Sequence, residues 1–225
     1  MKKQCVVRKK ITCMICIALA SLLLGASMVL GAGEPAKPAP AQKAVEVKSV
    51  VPATANMDTL TAIFTRRSIR SYTNRPVSDE TVKLLLQAAM AAPSAKNTQS
   101  WEFIVIRYKK TLQQVSSFHP FSKQVPNAPV AIVVCGNTKL QAAPGHWIPD
   151  ASNASMNILL AAHSLGLGAV WTTFYPYEDR TAGIRKLLNL PDHIMPLNII
   201  PLGYSTEKGN YQDRFKSDKV HYEKW

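Results

Sequence analysis

The sequence predicts an α+β domain with helices packed against a central sheet, and three observations carry that expectation. Segments of helical and strand pattern alternate unevenly along the chain, without the regular rhythm of a parallel α/β fold. Two short apolar runs, residues 103–106 and 131–134, have the length and β-branched content of buried strands. The 225 residues are 47% hydrophobic and 8% aromatic, enough for one domain of about 150 to 200 residues plus a tail. Ten glycines without a period exclude a collagen-like repeat, and the apolar content excludes a wholly disordered chain.

Residues 1–33 read as a signal peptide or membrane anchor. Lys2, Lys3, Arg8, Lys9 and Lys10 precede an uncharged run that closes on small residues, the pattern of a secretory leader. The uncharged run over residues 11–32 also meets the roughly 20 residues that span a bilayer, so cleavage and retention as an anchor both stay open. Either way the chain is expected to be exported, periplasmic or otherwise extracytoplasmic, with membrane contact only through this segment. Cys5, Cys13 and Cys16 lie in it, which leaves Cys135 as the single cysteine of the remainder, a buried small hydrophobe by expectation. Residues 34–56 are rich in Pro, Ala and Lys and read as a tether. The folded domain is expected over residues 57–225.

Within it, residues 58–65 form a short helix candidate that runs into Arg66-Arg67-Ser68-Ile69-Arg70. Ser78 caps a helix whose Val82, Leu85, Leu86, Ala89 and Met90 keep one face, ending before Pro93. Strands follow at 103–106 and 131–134, separated by a mixed stretch with Phe118, His119, Pro120 and Phe121. Residues 150–165 form the longest helix, with Ala154, Met156, Ile158, Leu159, Ala161 and Ala162 predicting burial nearly all round. It stops at Gly166, residues 169–171 continue as a strand, 180–188 form a last helix, and residues 197–200 start the last strand.

The chain carries 27 Lys+Arg against 14 Asp+Glu, a net +13, and loss of the leader's five cations leaves +8. A basic chain admits nucleic acid, an anionic membrane surface or a phosphorylated small molecule. Nucleic-acid binding needs Lys and Arg spread over one face with interleaved aromatics, whereas here they are scattered outside residues 66–70, so no nucleic-acid partner is expected. Arg66, Arg67 and Arg70 with Ser68 can surround a phosphate with charge-assisted bonds. The competing reading is a solvated basic helix end that suits the helix dipole.

Gly166-Leu167-Gly168 follows a helix and precedes a strand, the reverse of a dinucleotide fingerprint, and is better read as a helix stop. The five histidines show no metal-chelating spacing, His146 with Asp150 being only a weak i, i+4 pair, and no nucleophile elbow or paired-carboxylate site is visible. The segment 92–103 is a long, amide-rich loop where a short connector would suffice. Its amides could read the edge of a planar heterocycle, or it could be an ordinary capped loop.

Taken in order, Arg66-Arg67-Ser68-Ile69-Arg70, the Pro93-Ser94, Asn97 and Gln99 pattern leading into Trp101, the helix into Gly166-Leu167-Gly168-Ala169-Val170-Trp171, and Asp213-Arg214-Phe215 with His221, Tyr222 and Trp225 resemble the nitroreductase family of flavoproteins. The resemblance spans the whole of residues 57–225. It implies a mostly antiparallel sheet flanked by helices, an intertwined homodimer, and FMN bound at the interface between subunits. By similarity Arg66, Arg67 and Ser68 would hold the flavin phosphate and ribityl chain, and Arg70 would face the pyrimidine edge. Pro93, Ser94 and Asn97 would come from the other subunit, Trp171, Thr172 and Thr173 would meet the ring near N5, and Arg214 would be a further phosphate ligand. Gln212 stands where many relatives have Lys, which weakens the phosphate grip unless Lys208 substitutes. Thr173 stands where many have Gly, which narrows the space over the ring. The implied reaction is hydride transfer from NADH or NADPH through the flavin to nitroaromatics or quinones, with the redox chemistry done by the cofactor and no metal required. The alternative is an exported flavin-binding protein without NAD(P)H turnover.

Overall fold

The computed structural model describes residues 57–207 and 211–225. The leader, the tether and Lys208 lie outside the described residues.

One strand organises the rest. β2 (Val130–Asn137) reads as an unbroken apolar run because both its faces are covered. Val130, Ile132 and Val134 face α2 (Asp79–Met90) and α4 (Trp147–Ser164), while Ala131, Val133 and Cys135 face α3 (Lys109–Phe118) and α5 (Glu178–Leu188). Period-2 alternation therefore feeds two cores. Antiparallel neighbours flank it: β1 (Trp101–Ile106) on one side and the long β5 (Ile194–Tyr204) on the other. The far edge of β5 holds two short strands end to end, β3 (Leu167–Ala169) and β4 (Thr172–Thr173). All the pairings between these strands are antiparallel, which bears out the predicted α+β class with helices on both faces of a central sheet.

The second helix starts at its predicted cap, Ser78, and the first starts one residue later than expected because Asp58 is its cap. Asp58 accepts from the Thr61 N–H ahead of α1 (Thr59–Thr65), and Ser78 accepts from the Thr81 N–H ahead of α2. Several expectations need correction. α3 occupies the stretch left without an element; Leu112 and Val115 are its buried residues, and it has no side-chain cap, so its signal is sparse. α4 begins at Trp147, with Pro149 tolerated in the first turn. It is buried along one broad face rather than all round, Met156 being 43% exposed. The strand expected at residues 169–171 instead breaks after Ala169 and resumes at Thr172. The register shared by β3 and β4 places Pro201, which has no N–H, opposite Val170. β5 is far longer than residues 197–200 suggest because a register shift between Val134 and Cys135 accommodates Pro196. Cys135 is buried, and burial together with the nearby Glu102 charge pushes its thiol up to about 12, so it is no thiolate at neutral pH.

Candidate functional site

α1 ends at Arg66, whose ψ of 132° leaves the helical region while its N–H still bonds Ala62. The chain then runs extended, and Ser68 bridges Ala169 with the Ile69 N–H donating to the Ala169 carbonyl at 3.0 Å. This puts the arginine segment beside the strand that leads to Trp171. A Cβ on Gly168 would lie 2.4 Å from Ile69 Cγ2, so the close approach requires glycine. An extended segment alternates its sides. Arg67 and Ile69 face a cavity of about 430 Å³ with Thr65, His163, the turn at residues 166–168, Ser205 and Glu207. Arg70 lines a second cavity of about 660 Å³ with Trp171, Thr172 and Thr173.

The first cavity brings one cation, Arg67, and one carboxylate, Glu207, to its lining, and the Glu207 carboxylate accepts from the Ser71 hydroxyl. Arg67 Nη1 donates to the carbonyls of Phe64 at 2.9 Å and Arg66 at 2.7 Å, while its Nε and Nη2 are buried without a partner. The guanidinium of Arg66 is held below its ordinary pKa by partial burial and by the charges of Arg67 and Arg214. Arg214 arrives on the C-terminal segment, where Tyr211 packs edge-on to Phe64 of α1 at 6.0 Å. Among the described residues no carboxylate pairs with any of the three. His163, bonded through Nε2 to the Thr65 hydroxyl at 2.8 Å, is pushed down by burial and by Arg66 and Arg67.

The second cavity adds residues that the sequence reading missed: His119, Phe121, Lys123, Gln124, Tyr177 and Arg180. The Phe121 N–H donates to His119 Nδ1, so Nε2 carries the hydrogen and donates to the Thr173 carbonyl at 2.7 Å. Gln124 Nε2 donates to the Phe121 carbonyl and to the Thr172 hydroxyl at 2.9 Å. Together they clamp the segment after α3 onto β4. The only sequence signal was the aromatic density around His119, without a spacing that pointed to a site.

Burial pushes the pKa of His119 down, as it does for His163. Both rings therefore bind a proton less readily in the folded protein than in the unfolded chain, which takes up protons first. Their stabilisation is fully present above the ordinary histidine value near 6.5 and is lost as pH falls below it. The urea midpoint should fall between about pH 7 and pH 5, and the double variant His119→Gln, His163→Gln should flatten that slope; an unchanged slope would mean that neither ring carries it.

The amide-rich loop is held by Asp150, whose carboxylate is 2% exposed. It accepts from the Ala95 N–H at 2.9 Å and the Ser100 hydroxyl at 2.8 Å, so its side chain serves this loop, while His146 meets Asp150 only through the helical bond in which the His146 carbonyl accepts from the Asp150 N–H. Lys96, Asn97 and Gln99 all have positive φ, near 50°, a costly conformation for non-glycine residues that is typical of functional segments. Pro93 and Ser94 line a shallow pocket of about 270 Å³ against α4, and Asn97 is exposed. Thus one chain unites Arg70 with Trp171, Thr172 and Thr173, and Arg66 with Arg67 and Arg214. Neither arginine-bearing cavity is lined by Pro93, Ser94 or Asn97.

The nitroreductase family model matches residues 63–125 and 119–204. The chain belongs to the nitroreductase family. A protein of Methanothermobacter thermautotrophicus, provisionally named NADH dehydrogenase/NAD(P)H nitroreductase, is 52% identical over 169 residues, covering 75% of this chain and 88% of its own. Among solved structures, an FMN-dependent nitroreductase of Clostridium difficile R20291 superposes with a TM-score of 0.69 at 32% identity, over 74% of this chain and 99% of its own. An NADPH:FMN oxidoreductase of Vibrio harveyi complexed with NAD+ shares the fold, with a TM-score of 0.65 at 24% identity over 74% and 77% of the two chains.

Proposed function

We propose that this nitroreductase-family chain is an FMN-dependent oxidoreductase that passes hydride from NADH or NADPH to a nitroaromatic or quinone acceptor. In the quinone case NAD(P)H, a proton and quinone give NAD(P)+ and hydroquinone. The observation that carries the reading is one extended segment that holds two buried, unpartnered Arg67 donors, with the charges of Arg66 and Arg214 near them, and that two residues on from Ser68 sets Arg70 into a cavity wide enough for a planar ring. Buried donors without acceptors are costly unless an anion meets them, and a flavin phosphate fits that donor set. FMN supplies the two-electron chemistry when bound. The chain's own part is placement. Arg66, Arg67, Ser68 and Arg214 would hold the phosphate and ribityl end, and Arg70 would present a fixed positive charge to the ring, which favours the negative charge that reduction brings. Thr173, fixed by His119, would border the reacting side with Trp171 and Thr172.

A second copy of the chain is part of this proposal. Leu60, Ile63 and Phe64 of α1, with Met90, Met156, Phe215, Tyr222 and Trp225, leave large apolar side chains exposed on one chain. A homodimer would cover them and bring Pro93, Ser94 and Asn97 to a site they do not reach within one chain. The leader reading adds that the protein works outside the cytoplasm, with FMN acquired there or carried along.

Purified protein should be yellow and should bleach on anaerobic addition of NADH or NADPH. Bleaching by dithionite alone would leave a flavin-binding protein without turnover, and a protein that stays colourless after incubation with FMN would remove the proposal. Arg67→Ala should weaken FMN binding about 10- to 100-fold, the equivalent of roughly 1.5 to 3 kcal/mol for a lost charge-assisted contact. Arg70→Ala should also lower the flavin potential, by about 30 mV for each 1.4 kcal/mol of lost stabilisation. Equal potentials in redox titrations of the two variants would mean that Arg70 does not face the ring.

A further inference from the structure

Resting on that reading, the geometry points to an acceptor that is a planar anion: we propose that Arg180 and Lys123 meet the acid group of an aromatic or quinonoid carboxylate in the cavity shared by Arg70 and Thr173. The cavity lining contains three cations, Arg70, Lys123 and Arg180, and no carboxylate. Arg70 is accounted for by the flavin, whereas Lys123 and Arg180 stand on separate elements, the turn after α3 and the first turn of α5, and neither is in an ion pair among the described residues.

Arg180 is held in place rather than solvated. Its guanidinium carbon lies 3.7 Å from the centre of the Tyr177 ring and 5.4 Å from that of Phe121, and Nη1 reaches the Thr173 carbonyl at 3.5 Å. Its Nε is buried without a partner. A guanidinium stacked on an aromatic face keeps the N–H groups of its edge for a carboxylate, here Nη2 and the loosely bonded Nη1, and loses little rotamer freedom in meeting it. Phe121 and Tyr177 themselves are 71% and 49% exposed, a pair of open aromatic faces at the mouth of a polar cavity. Together they supply stacking area for a flat ring and charge for its acid group. Glu178 and Asp179 precede Arg180 on α5, and the Asp179 charge reaches His119, but neither lines the cavity. The same two cations could serve a phosphate of the nicotinamide donor, which uses the same cavity in turn.

The test uses the FMN-loaded full chain with 4-nitrobenzoate and 4-nitrobenzamide, acceptors of similar shape that differ in charge. The wild type should prefer the benzoate in kcat/KM, mainly through KM, and the preference should shrink as ionic strength rises. Arg180→Gln and Lys123→Gln should reduce the benzoate-to-benzamide ratio, about tenfold in the double variant, while Arg180→Lys should restore part of it. Binding of the two compounds to the oxidised protein, followed by the perturbation of flavin absorbance, should show the same ratios. A wild-type ratio near one, or a ratio unchanged in the variants, would overturn the proposal. So would a loss that falls on NADPH more than NADH with the acceptor ratio intact, since the cations would then belong to the donor's phosphates. If flavin binds but no acceptor turns over, the oxidoreductase reading fails while the binding ratio still decides this one. If no flavin binds, calorimetric titration of the two compounds into the protein decides it.

Discussion

Asp150→Ala should be among the most damaging single substitutions in the domain, lowering stability by about 3 to 5 kcal/mol. Its carboxylate is the acceptor for the Ala95 N–H and for the fully buried Ser100 hydroxyl, and alanine would leave both donors without a partner in a dry place. The loss would not be confined to global stability. Lys96, Asn97 and Gln99 hold left-handed conformations that the surrounding bonds must enforce, so the loop should relax once its anchor is gone. Asp150→Asn keeps the shape but turns one acceptor into a donor, and should fall between the two. Urea unfolding of the three proteins measures this. A midpoint for Asp150→Ala equal to the wild type would show that the loop is held by its own turns.

Gly168→Val should cost about 3 kcal/mol and weaken FMN binding at the same time. The first added carbon would lie 2.4 Å from Ile69 Cγ2 and 2.8 Å from Ile69 Cβ, and Cβ cannot swing aside as a flexible chain end could. Relief requires moving the backbone of the segment between Arg67 and Arg70, which is tied to Ala169 by the Ile69 N–H. Thermal melts report the first effect and flavin titration the second. A destabilised variant with wild-type flavin affinity would mean that the arginines reach the phosphate independently of this seam.

The parts of the fold announced by local chemistry were legible in the sequence. Ser78 is a cap residue and does cap a helix, and the run from Val130 to Cys135 is apolar throughout because both faces of that strand are covered. The parts set by pairing were not. Pro196 and Pro201 argue locally against a long strand, and only the bulge opposite Cys135 and the gap opposite Val170 reconcile them with β5. The arginine group stood out by composition. That its members face different cavities follows from the extended backbone after Arg66, which a helix-end reading does not supply. His119, Gln124 and Arg180 were invisible because each acts through a long-range contact with residues 172–173, and no spacing along the chain encodes such a contact.

The bridge between Ser68 and Ala169 also makes the cavity beside it a product of distant parts of the chain. The two walls of the cavity around Arg67 come from opposite ends of the domain; Thr65 and His163, which bond across it, are 98 residues apart in sequence. Closing so long a loop is entropically unfavourable unless other contacts draw the ends together, and β5, paired with both β2 and β3, supplies such contacts in the finished domain. A nascent or unfolded chain therefore offers the cofactor nothing to hold. Flavin capture is thereby tied to the assembled domain, and a ligand that binds only the native state shifts the folding equilibrium toward it.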